Sequence, residues 1–279
     1  MRLHIGLSLI LLCCSCDDVL LHVAPEPVDA GIIIVDAAPP APDAGFAIPD
    51  AGFAPDAEPP PMTAREPIYI HTGDTLFSYD PETNEASTIG NFHDRNGPIE
   101  GVVDIAIDLD GRMFGGTRDK KIYFIDATSG FCDYRFDFDD ILHGLTFLSD
   151  GSLVVAGERV SIVNPTNGQL QIEIVAAQDY ETSGDIVGLP DGMLYWTVRN
   201  PNEQAGDGVV RISPISGRID WLGEASVQEI YGLGYSDDRL YGFSDEGMVV
   251  TIDPQSGDVL QSQVLEGRWW GATTNPVHW

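Results

Sequence analysis

Residues 249–260 read VVTIDPQSGDVL: an apolar strand, a turn, and the start of a second strand. The same form occurs at LFSYDPETNEAS (76–87), IYFIDATSGFCD (122–133), VSIVNPTNGQLQ (160–171) and VVRISPISGRID (209–220). In each copy a β-branched or aromatic run ends in Asp, Asn or Ser. Pro usually follows, and then a Ser, Thr or Asn before Gly. The Asp or Asn side chain caps the turn, Pro presets φ, and Gly takes positive φ. These are five hairpins. Their heads are Asp80, Asp126, Asn164, Ser213 and Asp253, spaced by 46, 38, 49 and 40 residues. A period near 43 residues fits a unit of four strands.

A second hairpin lies between consecutive copies: IAIDLDGRMFGG (105–116), LTFLSDGSLVVAG (145–157), IVGLPDGMLYWTV (186–198) and LGYSDDRLYGFS (233–244). It supplies strands A and B of each unit, and the first hairpin joins strands C and D. After the last copy the chain runs on as WWGATTNPVHW (269–279), a strand A without a strand B. The missing strand is at the other end, as PIYIHTG (67–73), followed by its own C and D strands. Pairing 67–73 with 269–276 would close the array and remove its free edges. The expected fold is all-β: a five-bladed β-propeller of four-stranded blades over 67–279, its N-terminal strands completing the last blade. The pattern resembles the quinoprotein-like and YVTN-type repeat propellers, and SGRIDW (216–221) looks like a repeat of the quinoprotein kind. Only that copy carries the tryptophan, so the resemblance supports the fold and does not support a quinone cofactor.

Before residue 67 the composition changes. MRLHIGLSLILLCCSC has a basic start, a short apolar core and small residues after it, as a secretory signal does. LLCCSC resembles the lipobox of bacterial lipoproteins, with Ser15 preceding the acylated cysteine, Cys16; Cys13 stands where an aliphatic residue is usual. The expected division is a lipoprotein signal peptide over 1–15 and a linker over 16–66. Pro, Ala, Asp and Gly dominate the linker, and such a composition remains extended and disordered. Its PDAG repeats resemble linkers in lipoproteins of myxobacteria and their relatives. The resemblance implies an exported protein, lipid-anchored to the cell envelope at the outer membrane or cell surface, with the linker as spacer.

The chain carries 44 acidic and 14 basic residues; 34 and 12 of these follow residue 66, a net charge of −22 on the folded part. Such a surface repels phosphate backbones, which excludes nucleic acid as a partner. Cys132 is the single cysteine after residue 16, so no disulfide forms within the propeller, and it reads as a small core residue. DLDG (108–111) reads as a hairpin turn, without the remaining ligands of a calcium loop.

The A–B and C–D turns are short. The long connections are D–A (91–101 and 176–184) and B–C (199–208), which share one face of a propeller. Long loops on a rigid scaffold carry function. That face offers His93, Arg95, Tyr180 and Arg199 as ligand-binding candidates, with Tyr231 and Trp270 near the entry of strand A. Asp104, His143 and Asp185 occupy similar places on the first three A strands. Together they could hold a divalent cation such as calcium, with Asp104 and Asp185 as its ligands, or act as an acid–base group. The plain alternative is a hydrated channel. No nucleophile elbow, P-loop, zinc-protease helix or dinucleotide fingerprint is present. The expected function is therefore a non-enzymatic binding or scaffold module, monomeric, for a protein or glycan of the cell envelope. The alternative is a hydrolase or transferase using the channel carboxylates, since five-bladed propellers include carboxylate-using glycosidases and glutaminyl cyclases. The Phe-Thr-Glu-Gly-Leu stretch of the cyclases is absent here.

Overall fold

The structure, a computed structural model, describes residues 67–174, 177, 179–202 and 205–278. The signal, Cys16 and the linker lie outside the described residues. The strands in chain order are β1 (Ile68–His71), β2 (Thr75–Asp80), β3 (Glu85–Asn91), the two short strands β4 (His93–Asp94) and β5 (Gly97–Pro98), then β6 (Val102–Ile107), β7 (Met113–Thr117), β8 (Lys121–Ile125) and β9 (Cys132–Asp137). They continue as β10 (Gly144–Phe147), β11 (Leu153–Ala156), β12 (Val160–Val163), β13 (Leu170–Ile174), β14 (Thr182–Gly188), β15 (Leu194–Val198), β16 (Gly208–Ile212) and β17 (Ile219–Glu224). The last are β18 (Ile230–Ser236), β19 (Arg239–Ser244), β20 (Met248–Ile252), β21 (Val259–Val264) and β22 (Gly271–Thr273).

Four blades follow chain order: β6–β9, β10–β13, β14–β17 and β18–β21. The fifth is β22-β1-β2-β3, and every pairing within a blade is antiparallel. The closure falls where the sequence predicts it: Tyr69 pairs with Thr273, Ile70 with Ala272 and His71 with Gly271.

The turn chemistry repeats from blade to blade. At the C–D turns, Asp126, Asn164 and Asp253 accept backbone N–H bonds two residues on, at 2.8–2.9 Å. Gly130, Gly168 and Gly257 then take positive φ, near 75°, and donate back to the carbonyls of those same heads at 2.8 Å. In the closing blade Asn84 stands at that position with φ 56° and donates to the Asp80 carbonyl at 2.9 Å. Asn is the non-glycine residue that tolerates this region best. At the A–B turns Asp108 accepts from Asp110 and Arg112, so DLDG is a hairpin turn as read.

Inner strands are largely apolar on both faces where other blades cover both faces; β7, β10, β11, β12 and β15 are wholly buried, whereas β2 of the closing blade is only partly so. The core divides into five clusters, each shared by two consecutive blades. The cluster that joins the fourth blade to the fifth contains Phe243 and Val249 together with Ile68, Ile70 and Ala272. The next joins Leu76 and Phe92 to Val102 and Ile105. Both depend on the N-terminal strands. Cys132 is buried in the same cluster, and burial pushes its thiol up to about 12, which makes it a packing residue.

Candidate functional site

The A strands surround the axis, and one position on each faces it: Asp104, Gly144, Asp185, Gly232 and Gly271. Asp104 and Asp185 have no solvent exposure. The residue after each ring position sends its N–H to one of these two carboxyls. Leu145 donates to Asp104 Oδ2, and Ile105 also donates to Asp104. Ile186 donates to Asp185 Oδ1 and Leu233 to Oδ2, both at 2.6 Å, and Ala272 adds a third bond to Asp185. Five amides from five blades thus converge on two side chains.

Two glycines make room beside them. A Cβ on Gly144 would stand 3.3 Å from the Asp185 Cα, and one on Gly271 would stand 2.4 Å from Asp104 Oδ1 and 2.3 Å from His71 Nε2. The axis is therefore filled by the two carboxyls.

Two buried carboxylates side by side would repel each other strongly. Burial, then the neighbouring Asp185 carboxyl, holds the Asp104 pKa well above the ordinary carboxylate range, and burial also raises that of Asp185. Oδ1 of Asp104 is buried without a hydrogen-bond partner, and of the two carboxyls Asp104 is the one that holds its proton to higher pH. His71 sits beside them without solvent exposure, its Nδ1 2.7 Å from the Thr72 carbonyl. Nδ1–H is thus the donor, Nε2 is unpartnered, and burial lowers the imidazole pKa to about 4. Among the described residues no group of three or more His, Cys, Asp or Glu side chains is arranged to hold a metal ion. Raised carboxyl pKa values and bonds from backbone N–H groups offset the repulsion between the two side chains.

His143 is not part of this group. It precedes the ring position by one residue, and successive side chains on a strand point to opposite sides. Its side chain is exposed and lines a depression on the face built by the D–A and B–C connections. Partial desolvation by the walls of the depression is the main cause lowering its pKa, so the imidazole is neutral at pH 7. Tyr231 and Trp270 share its register and line the same depression, of about 1000 Å³, with Arg118, Arg199 and Arg268. The Trp270 ring lies against Gly73, where a Cβ would come within 2.5 Å of it. The Arg118 guanidinium stacks on its other side, 4.5 Å from the centroid, and Trp270 Nε1 donates to Asp245 Oδ1 at 3.1 Å. Arg268 also holds Asp245. Trp270 is thus a fixed aromatic surface with one cation already stacked on it.

A smaller cavity, of about 660 Å³, adjoins this one under blade β14–β17 and contains Tyr180 and Arg199. Arg199 pairs with Glu181 at 3.1 Å; both are largely exposed, so the pair contributes little stability. His93 and Arg95 line neither of these cavities. His93 lies on β4, its ring 5.6 Å from Phe131 and its Nδ1 2.8 Å from the Asn91 carbonyl. Sequence reasoning missed His71, whose role depends on Gly271 across the sheet, and Asp207, which was visible only as a member of a long loop.

No protein-family model matches this chain, and no curated protein matches it. Solved structures that resemble it include a chain of the nidogen–laminin complex, 12% identical, covering 77% of this chain and 99% of that one, with a TM-score of 0.48. U3-55K is 15% identical over 71% of this chain and 60% of its own, TM-score 0.44. A protein of unknown function from Bacteroides caccae is 13% identical over 74% and 77%, TM-score 0.45. The propeller assignment rests on the five closed blades of this chain.

Proposed function

We propose that this chain is a non-enzymatic binding module, exported and anchored to the cell envelope through Cys16, whose working face is the one formed by the D–A and B–C connections. Its partner is a protein or glycan of the envelope. The observation that carries this reading is the contrast between the two ends of the A strands. The carboxyls that would perform acid–base chemistry are sealed in the axis and bonded to backbone N–H groups. The accessible surface above them offers Tyr231 and Trp270 among arginines, a lining of the kind that recognises ligands. The alternative, a hydrolase or transferase using Asp104 and Asp185, would need a substrate atom at a carboxyl with no solvent exposure.

Two experiments test the reading. Purified protein is used to capture partners from its own envelope extract. Glu181→Lys with Glu229→Lys, both exposed on the loop face, should abolish capture. Ile215→Arg, at a C–D turn where the side chain is 97% exposed, should leave it intact. Equal capture by both variants would move the working surface elsewhere. For the anchor, Cys16→Ser should shift the protein from the membrane to the soluble exported fraction. Membrane retention with continued fatty-acid labelling would refute the assignment of Cys16.

A further inference from the structure

The smaller cavity has a floor the larger one lacks. Asp207 is 5% exposed and lies where the B–C connection turns into β16. Its Oδ2 accepts from Ser183 Oγ at 2.5 Å and from the Ile230 N–H at 2.8 Å. Its backbone is held too: the Asp207 N–H donates to the Val227 carbonyl at 2.9 Å, and the Ala225 N–H donates to the Asp207 carbonyl at 2.7 Å. Both of these side-chain bonds fall on Oδ2, and Oδ1 opens to the cavity. A carboxylate oxygen so placed accepts a charge-assisted bond from a cationic donor more strongly than from a neutral one.

The walls indicate which donor. Tyr180, Tyr231 and Trp221 present aromatic surface to the cavity, and Asp179, Glu181 and Glu229 add negative charge. The one basic side chain in the lining, Arg199, is engaged by Glu181. Glu229 holds φ 55°, fixed by the Ile230 N–H bond to Asp207 on one side and by the Asp245 N–H bond to the Glu229 carbonyl at 3.0 Å on the other. A neutral hydroxyl could donate to Asp207 but would gain nothing from the surrounding charge. A cation gains from the carboxylates and from the aromatic faces together.

We infer that this cavity takes a basic side chain, the ammonium of a lysine or the guanidinium of an arginine, presented by a partner protein and hydrogen-bonded to Asp207 Oδ1. This deepens the loop-face reading and rests on it. It also gives the negative charge of the folded part a use, because a field of that sign draws basic segments toward the site.

The test is calorimetric titration of the full chain with an N-acetylated, amidated tri-lysine peptide, beside tri-glutamate and a neutral chito-oligosaccharide. Tri-lysine should bind and the other two should not. Asp207→Asn should weaken tri-lysine by about tenfold or more, since it replaces a charge-assisted acceptor with a donor. The Asn carbonyl can still accept from Ser183 and Ile230, so melting should stay near that of the wild type. Glu229→Gln, on the exposed rim, should weaken binding about threefold by loss of one nearby charge; it decides the matter should Asp207→Asn fail to fold. Unchanged tri-lysine affinity in the folded variants, or binding of the sugar in preference to the peptide, would overturn the assignment. Should Asp207→Asn still capture the envelope partner while the loop-face charge reversal does not, the loop-face reading stands and the basic-side-chain site is wrong.

Discussion

Asp185→Asn should lower the melting temperature by about 6–12 °C, corresponding to about 3 kcal/mol in a domain of this size, whereas Asp104→Asn should leave it unchanged or raise it at pH 7. The two carboxyls have opposite duties. Asp185 accepts from the Ile186, Leu233 and Ala272 N–H groups, so it is the first of the two to ionise, although burial raises its pKa to about 8. An amide there turns a donor toward buried N–H groups and leaves at least one unsatisfied. Asp104 already carries a proton, and an Asn in its place can accept from Leu145 and donate to Asp185. The pH dependence follows with a definite sign. The folded pair holds its proton to higher pH than the unfolded chain, in which carboxyls titrate near 3.9. Its stabilisation is complete below that value and is lost as pH rises through the raised folded pKa, at about 1.4 kcal/mol per pH unit while one proton separates the states. Asp104→Asn should reduce this slope to the part that the buried Asp185 contributes. Urea melts of both proteins at several pH values between 4.5 and 8 measure it; a bound divalent cation would instead make both Asn variants less stable and would make stability depend on chelator.

Deletion of residues 67–73 should abolish the cooperative unfolding transition. It removes Ile68 and Ile70, both fully buried in the cluster that joins the fourth and fifth blades, and leaves β2 and β22 with bare edges. Each such side chain contributes about 1.5–3 kcal/mol on burial, and His71 and a whole set of ladder bonds go with them. Against a total of about 5–15 kcal/mol, that loss leaves no stable fold. A closed ring also differs from an open repeat array, in which a terminal repeat can be trimmed and the rest remains folded. A single sharp calorimetric transition in the deleted protein would count against closure through these strands.

The five blades are legible in the sequence because their turns are chemical statements. An Asp or Asn head with a Gly four residues later can do little except form that hairpin, and even the exception, Asn84, is the expected substitute. Closure was legible by counting strands. The axis was only half legible. Asp104 and Asp185 each stand seven residues before a turn glycine, Gly111 and Gly192, while His143 stands eight before Gly151. That one-residue offset sends its side chain to the loop face, and the true counterpart is Gly144. His71 and Asp207 could not be read locally. Each is buried by groups far away in sequence: Gly271 and Asp104 for the first, Ser183 and Ile230 for the second.

The account's central claim is that the axis maintains the fold and the loop face does the binding. Capture from the native envelope extract by Asp104→Asn and by the Glu181→Lys, Glu229→Lys variant, with both confirmed as folded, separates the two. The axial variant should retain the full yield of partner and the loop-face variant should retain none; loss of the partner from Asp104→Asn, with capture preserved in the charge-reversed protein, would contradict it.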